Sequence, residues 1–114
     1  MHKLYGIKNC DTVKKTRNWL EQNGVVYQFH DYRVDGLDLS LLEHFEVKLG
    51  WEQMLNRRST SWRQLSDADK TDLDKTKALQ LMLTHPTLIK RPVLDTEEQM
   101  LIGFSTTTYQ TLLS

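Results

Sequence analysis

Cys10 is the only cysteine in a chain of 114 residues, and its position predicts a thiol that ionises easily. Residues 2–7 (HKLYGI) favour a strand and a helical segment follows Asp11, so Cys10 lies where a strand turns into a helix. The free N–H groups and the positive dipole end at such a turn favour a thiolate over a thiol. Position alone leaves two interpretations equally open, a reactive thiolate or a buried structural cysteine.

Two basic segments could bind an anion beside a thiolate. Arg91 precedes Pro92 within an apolar stretch, where a proline removes a backbone donor and where a cis peptide bond costs little. Arg57 and Arg58 stand in a polar loop, and an arginine fork suits carboxylates and oxyanions. From spacing alone, solvated side chains on an edge strand and in a loop are the simpler interpretation of both segments.

Other kinds of site find little support in the sequence. The four histidines are far apart and form no helical i, i+4 pair, which argues against a histidine metal site. The acidic stretch 66–74 lacks the glycine and glutamate spacing of an EF-hand, and no Walker, GxGxxG or GxSxG motif occurs. A single cysteine can form neither an internal disulfide nor a Cys-rich zinc site. We therefore expect no metal and no bound cofactor.

Length and charge predict one domain over residues 1–114, with neither a nucleic-acid nor a membrane partner. The 15 Lys and Arg residues balance the 15 Asp and Glu residues, whereas nucleic-acid and anionic-membrane binders need an excess of positive charge. No apolar run approaches the roughly 20 residues of a membrane span. The first residues, MHKL, lack the apolar core of a signal peptide. We therefore expect a cytoplasmic protein.

The hydrophobic pattern predicts an α/β protein of the thioredoxin-like plan, a βαβ half and a ββα half that form one mixed four-stranded sheet. A helical insertion at about 38–85 separates the halves. The expected elements are a strand at 2–7, a helix to about Asn23, a strand at 25–32, a helix from Asp38 or Ser40 to Leu49, short helical turns within 51–65, a helix from the acidic stretch 66–74 to His85, a strand at 87–95 interrupted by Arg91-Pro92, a strand at 99–102 and a helix from Ser105 to about Leu113.

Three stretches of the chain resemble the ArsC/Spx family of thioredoxin-like proteins, and most closely its YffB-like branch. They are LYGIKNCDTVKKTRNWLEQNGVVYQFHDYRVDG, LNRRSTSWRQL and HPTLIKRPVL. Together they span most of the chain in the family's order. Each motif alone is weak, but a strand, a cysteine and a helix followed about 80 residues later by Arg-Pro form a specific combination.

The resemblance implies roles for individual residues. Cys10 matches the family's nucleophilic cysteine, Arg91 matches the arginine before a cis proline beside that cysteine, and Pro92 matches the proline. Another active-site arginine of the arsenate reductases falls near Arg57 and Arg58, although an ungapped match places Asn56 on it. The implied substrate or glutathione site is completed by the neighbours of the cysteine, which add positive charge, hydrogen bonds or capping: Lys8, Asn9 and Thr12.

The chain also departs from the family's pattern. The arsenate reductases carry a further arginine after the final hairpin, where this chain has residues 103–105 (GFS). The loss of oxyanion-binding arginines suits a larger thiol substrate better than arsenate. The Spx regulators often have Cys-x-x-Cys, and here Val13 takes the second position, so no internal disulfide switch can form.

The function that the resemblance implies is a glutathione-dependent thiol–disulfide reductase with one nucleophilic cysteine. Cys10 would form a mixed disulfide with glutathione, which acts as a co-substrate rather than a bound cofactor. Two alternatives stay open: arsenate reduction by the same thiolate, and a non-enzymatic Spx-like regulator that binds RNA polymerase. We expect a monomer whose partner is glutathione, with glutaredoxin as an open further partner.

Overall fold

A computed structural model of the protein describes residues 2–113, and the chain divides into two compact units. The first unit contains the chain up to Asp35 and again from Arg91 onward, and the second contains Gly36–Lys90. The predicted helical insertion at about 38–85 falls within the second unit. In chain order the elements are β1 (His2–Gly6), α1 (Asp11–Gln22), β2 (Tyr27–Asp31), α2 (Leu39–Leu49), α3 (Trp51–Met54), α4 (Thr60–Gln64), α5 (Asp67–Lys70), α6 (Lys75–Thr84), a 3-10 turn (Pro86–Leu88), β3 (Val93–Asp95), β4 (Met100–Ile102) and α7 (Thr106–Leu113).

The first unit contains the mixed four-stranded sheet that the sequence predicts, with strand order β2-β1-β3-β4. Strand β1 pairs in parallel with β2 and antiparallel with β3, and β4 closes the hairpin with β3. The parallel pair requires the α1 crossover, because two parallel strands cannot be joined by a tight turn. A buried cluster joins the sheet to α1 and α7: Leu4, Leu20, Leu94 and Tyr109.

The second unit is helical. Asp38 begins α2 because its carboxylate accepts a hydrogen bond from the Leu41 backbone N–H at 2.8 Å, which confirms one of the two predicted caps. Gly50, with a φ of +82°, ends that helix. The buried side chains of this unit come mainly from α2, α3 and α6: Leu42, Phe45, Met54, Ala78, Leu79 and Met82.

Two predicted elements are wrong. Residues 87–90 do not form a strand: Pro86–Leu88 make a 3-10 turn, Ile89 forms an isolated bridge with Leu55, and β3 begins after Pro92. The apolar residues of this stretch are buried without extending the sheet. The acidic stretch is also not continuous with α6.

The break between α5 and α6 has a local cause. Ser66 and Asp74 each cap a separate helix through their side-chain oxygens. Between the two helices Asp72 adopts a φ of +53°, and the Lys77 ammonium donates to the carbonyl groups of Ala68 and Thr71. Two N-caps in this stretch therefore begin two helices, where the sequence predicts one helix that starts in the acidic stretch. No helix among residues 2–113 is long and apolar enough to cross a bilayer.

Candidate active site

Cys10 occupies the N-cap of α1 in an extended conformation, with φ −138° and ψ 126°. Its carbonyl accepts the first helical hydrogen bond from the Lys14 N–H at 2.9 Å. The side chain is a partly exposed free thiol. The N–H groups of Thr12 and Val13, at the start of the helix, lie beside the sulfur and favour its ionised form. The strand-to-helix position predicted for Cys10 is confirmed.

Opposing effects act on the Cys10 thiol, and the net result is a lowered pKa. Partial burial is the largest single effect, and it raises the pKa because the anion loses solvation. This effect is outweighed by four contributions that lower the pKa: the Val13 N–H, a hydrogen bond from Arg91, the positive charge of Arg91 and the Thr12 N–H. The alternative of an inert cysteine sealed in an apolar core therefore does not describe this thiol.

Arg91 and Pro92 lie at the start of the segment that leads into β3. The peptide bond between them is cis, as the resemblance implies. The Pro92 carbonyl accepts a hydrogen bond from the Gly103 N–H at 2.8 Å, which ties this segment to the end of β4. Pro92 is buried and Arg91 is partly buried, with its guanidinium at the Cys10 sulfur. The structure thus brings Cys10 and Arg91 together from positions distant in sequence.

The other predicted neighbours of the cysteine lie on an exposed turn. Lys8, Asn9 and Thr12 all expose their side chains. The backbone of the turn is anchored instead: the Lys8 N–H donates to the Asp31 carboxylate at 3.0 Å. The Thr12 carbonyl accepts from the Thr16 hydroxyl at 2.7 Å. Substrate contacts by these three side chains stay a prediction.

Asn56, Arg57 and Arg58 belong to the helical unit, where they line a groove of about 460 Å³ together with Glu52 and Lys90, among others. The Asn56 side chain accepts from the Arg58 N–H at 3.1 Å and so shapes a turn. The Arg57 guanidinium lies 5.6 Å from the centre of the Trp62 ring, within reach of a cation–π contact. Both arginines are exposed, and their part in binding a substrate stays a prediction.

Two residues at the end of β2 bear on the site and were missed by sequence reasoning. Asp31 is buried, and its two carboxylate oxygens accept the N–H groups of Lys8 and Arg33. Tyr32 is buried next to it, and the charge of Arg91 acts on its hydroxyl. The one available signal was an acidic residue at the end of a strand that alternates aromatic and polar residues, and acidic residues are seldom buried.

Gly6 allows helix α1 to approach the sheet closely. A Cβ atom at this position would lie 2.9 Å from Cγ2 of Val13. The residue at the end of β1 therefore has to be small for α1, and with it Cys10, to take its present place. Among residues 2–113, no group of three or more His, Cys, Asp or Glu side chains is placed to hold a metal ion.

The model of the ArsC family matches residues 5–112, nearly the whole chain. The chain belongs to the ArsC family. The family's thioredoxin-like fold agrees with the sheet and helices described above. ArsC membership supports a thiol-dependent oxidoreductase or arsenate reductase-like role for this chain.

Individual relatives of this ArsC-family chain are similar over most of their length. An uncharacterized protein of Haemophilus influenzae is 50% identical, with 94% of each chain covered. The global transcriptional regulator Spx of Streptococcus mutans is 29% identical, over 90% of this chain and 75% of the regulator.

Two solved structures have similar folds. A YffB protein has a TM-score of 0.95 at 46% identity, with both chains covered completely. An arsenate reductase (ArsC) related protein from Brucella melitensis has a TM-score of 0.80 at 42% identity, over 99% of this chain and 94% of that one. These matches agree with the predicted ArsC/Spx family and its YffB-like branch.

Proposed function

We propose that this protein is a glutathione-dependent thiol–disulfide reductase that uses Cys10 as its only nucleophile. The observation that carries the proposal is the Cys10 sulfur at the N-terminus of α1 beside the Arg91 guanidinium, with a pKa below that of an ordinary thiol. A thiolate is the reactive form in disulfide exchange, so a lowered pKa raises its fraction near neutral pH.

The reaction consists of two exchanges. The Cys10 thiolate attacks the glutathione sulfur of a mixed disulfide R–S–S–G, the S–S bond breaks, and R–S⁻ leaves with the electron pair and takes up a proton. The Cys10–S–S–glutathione bond is then attacked by the thiolate of a second glutathione. Oxidised glutathione leaves and the Cys10 thiolate is restored. Overall, the sulfur of the second glutathione is oxidised from thiol to disulfide, and the R–S sulfur is reduced from disulfide to thiol.

The chain provides one cysteine, so the second exchange needs a thiol from outside it. Arg91 would hold the departing or attacking thiolate near the sulfur, because its guanidinium offers several N–H donors. Glutathione has two carboxylates, and we propose Arg57 or Arg58 as contacts for one of them. The exposed Lys8, Asn9 and Thr12 would supply further polar contacts beside Cys10.

A coupled assay tests the proposal directly. Reduction of a glutathione mixed disulfide by glutathione is followed through the consumption of NADPH by glutathione reductase. We expect Cys10→Ser to fall to the uncatalysed rate, because a hydroxyl cannot form the mixed disulfide. Asn18→Ser, an exposed change on the same helix, serves as the control and should keep full activity. Full activity in Cys10→Ser would rule the proposal out.

Arsenate reduction is the second candidate, and the 42% identity to an arsenate reductase related protein favours testing it. The same thiolate would displace one arsenate oxygen as water and form a Cys10–S–As(V) bond. Two glutathione thiols would then supply two electrons, so that arsenite and the Cys10 thiol are released and the two glutathiones leave as their disulfide. The assay is repeated with arsenate, glutathione and glutaredoxin. Turnover of arsenate faster than that of the mixed disulfide would replace the leading proposal with this one.

A regulator function is favoured by one observation, the similarity to the Spx regulator over 90% of this chain. It would use a protein surface rather than the reactivity of Cys10. A pull-down with RNA polymerase separates the two functions, because a reductase is not expected to bind the polymerase and needs Cys10 for activity. Binding that is retained in Cys10→Ser, together with no reductase activity in the unmodified protein, would favour the regulator.

A further inference from the structure

Tyr32 places a hydroxyl group inside the first unit without a hydrogen-bond partner. The side chain is only 4% exposed, so bulk water cannot replace the missing partner. Burial raises the pKa of Tyr32 far above its usual range, so the group stays neutral. A buried hydroxyl with no partner costs free energy of folding, and a phenylalanine would fill the same space without that cost. The hydroxyl therefore needs an explanation other than stability.

The surroundings of Tyr32 connect it to the cysteine. Its backbone N–H donates to the Gly6 carbonyl at 2.9 Å, and the preceding Asp31 accepts the N–H of Lys8. The end of β2 is thus fixed to the turn that carries Cys10. The Arg91 guanidinium lies near enough for its charge to act on the Tyr32 hydroxyl, and the same guanidinium makes the hydrogen bond to the Cys10 sulfur.

The charge on the sulfur changes during disulfide exchange. In the reduced protein an anionic sulfur attracts the Arg91 guanidinium, whereas in a mixed disulfide the sulfur is neutral and accepts hydrogen bonds weakly. A guanidinium has five N–H donors, so it can turn to a second acceptor without losing its other contacts. The Tyr32 oxygen is an acceptor that the reduced protein leaves unused.

We propose that Tyr32 is a positioning residue whose hydroxyl accepts a hydrogen bond from Arg91 when Cys10 is in a mixed disulfide. The bond stabilises the mixed disulfide relative to the free thiolate. This inference rests on the thiol chemistry of the proposed function, but not on glutathione as the substrate. In this role Tyr32 acts through Arg91 and not on the reacting sulfur atoms.

The test is the equilibrium between Cys10 and hydroxyethyl disulfide. The Cys10 thiolate displaces one mercaptoethanol thiolate and forms a Cys10–S–S–hydroxyethyl bond, so Cys10 is oxidised and one mercaptoethanol is reduced. The equilibrium constant is measured by mass spectrometry of acid-quenched mixtures at several ratios of disulfide to mercaptoethanol. We expect Tyr32→Phe to lower it about three- to tenfold, the range of an ordinary intramolecular hydrogen bond.

Two further readouts separate a positioning role from a merely structural one. The pH profile of Cys10 alkylation should not change in Tyr32→Phe, because the hydroxyl is unused in the reduced state. The melting temperature of the reduced variant should equal or exceed that of the unmodified protein. Tyr27→Phe is the matched control: its hydroxyl already accepts from Arg17 at 3.1 Å, and the exchange constant should stay unchanged.

The effect of Tyr32→Phe should disappear in an Arg91→Met background, because the hydrogen bond then has no donor. An equal exchange constant in Tyr32→Phe and the unmodified protein, or an equal loss with and without Arg91, would overturn the inference. Should Tyr32→Phe fold poorly, Tyr32→Leu lacks the same hydroxyl and is measured in the same way. The two proposals can fail separately. If the protein does not turn over glutathione mixed disulfides, the proposed function is wrong, but the role of Tyr32 can still be measured because the partly exposed Cys10 exchanges with a small disulfide.

Discussion

At Cys10 the cost of burying an anion competes with the hydrogen bonds and the positive charge that stabilise it. Burial alone would give a less acidic thiol, and the N–H groups of α1 and the side chain of Arg91 reverse that effect. The reactivity of the site therefore depends on a residue that is distant in sequence. Neither the helix terminus nor the arginine has to account for the thiolate by itself.

Replacement of Arg91 by methionine tests this balance. Arg91→Met keeps much of the side-chain volume but removes both the hydrogen bond and the charge, so we expect the pKa of Cys10 to rise. The thiolate fraction at neutral pH, and with it the rate of alkylation by iodoacetamide, should fall. The measurement is the alkylation rate as a function of pH.

Arg17→Met is the control for the loss of one positive charge elsewhere in the same unit. Arg17 lies 4.2 Å from the centre of the Phe29 ring and donates to Tyr27, so it serves packing on another part of the sheet. We expect its alkylation profile to match that of the unmodified protein. The same shift in both variants would show that the site responds to net charge and not to Arg91.

Residue types and the family resemblance were sufficient to predict Cys10 at a helix start and Arg91 before a cis proline. They were insufficient for Asp31 and Tyr32. The roles of those two residues depend on the parallel register that places Gly6 opposite Asp31, and a pattern of residue types does not encode which strands pair.

At the scale of the elements, the close packing of α1 against β1 determines the position of Cys10. Gly6→Ala should destabilise the protein by about 1–3 kcal/mol, because the new methyl group meets Val13 at a distance shorter than van der Waals contact. Urea unfolding measures the change. Gly6→Ala should also lower the reactivity of Cys10, since α1 must shift to make room.

A double variant separates the steric effect from a general effect of the new side chain. Val13→Ala removes the atoms that the added methyl group would meet. The loss in Gly6→Ala/Val13→Ala should therefore be smaller than the sum of the two single losses. Additive losses would contradict the close-packing explanation.

The turn before Cys10 depends on Asp31 at the end of β2. Asp31→Ala should lower the free energy of unfolding by about 3 kcal/mol, because the N–H groups of Lys8 and Arg33 lose a charged acceptor inside the protein. Asp31→Asn should lose less, since its one remaining oxygen can still accept. Glu43→Gln, an exposed carboxylate on α2, is the control and should have little effect in urea unfolding.

Element boundaries were predictable where caps are unambiguous and unpredictable where they compete. Asp38 and Gly50 delimit α2 at the predicted places. The stretch 87–90 has the composition of a strand, yet Pro86–Leu88 form a 3-10 turn and β3 begins only at Val93. The tertiary environment, rather than the local β propensity, therefore determines the conformation of that segment.

For the whole molecule, the sequence predicted the order of strands and helices and the mixed sheet, because short alternating or apolar segments bounded by turn residues follow one another in the order of a βαβ half and a ββα half. It did not predict how the helical segment divides, because Ser66 and Asp74 are both suitable N-caps and the acidic stretch between them has no hydrophobic pattern that selects one. The sequence also did not predict that Arg57 and Arg58 line a groove of the helical unit.

The oligomeric state is a property of the whole molecule that stays a prediction. Within residues 2–113 the exposed large apolar side chains are few and separated in sequence, as with Val26, Val34 and Val47. Sedimentation equilibrium should therefore give the mass of one chain, 13.4 kDa, at every protein concentration tested. A mass that grows with concentration would contradict the expected monomer.

The ionisation of Cys10 in the folded protein tests the central claim most directly. The rate of iodoacetamide alkylation is measured against pH for the folded protein, and again in urea, where the same cysteine is an ordinary thiol. Because the thiolate alone reacts, the rate falls as the pH drops through the pKa. We expect the midpoint of the folded protein at a lower pH than that of the unfolded chain. A midpoint at the same or a higher pH would contradict the account of Cys10 as a stabilised thiolate.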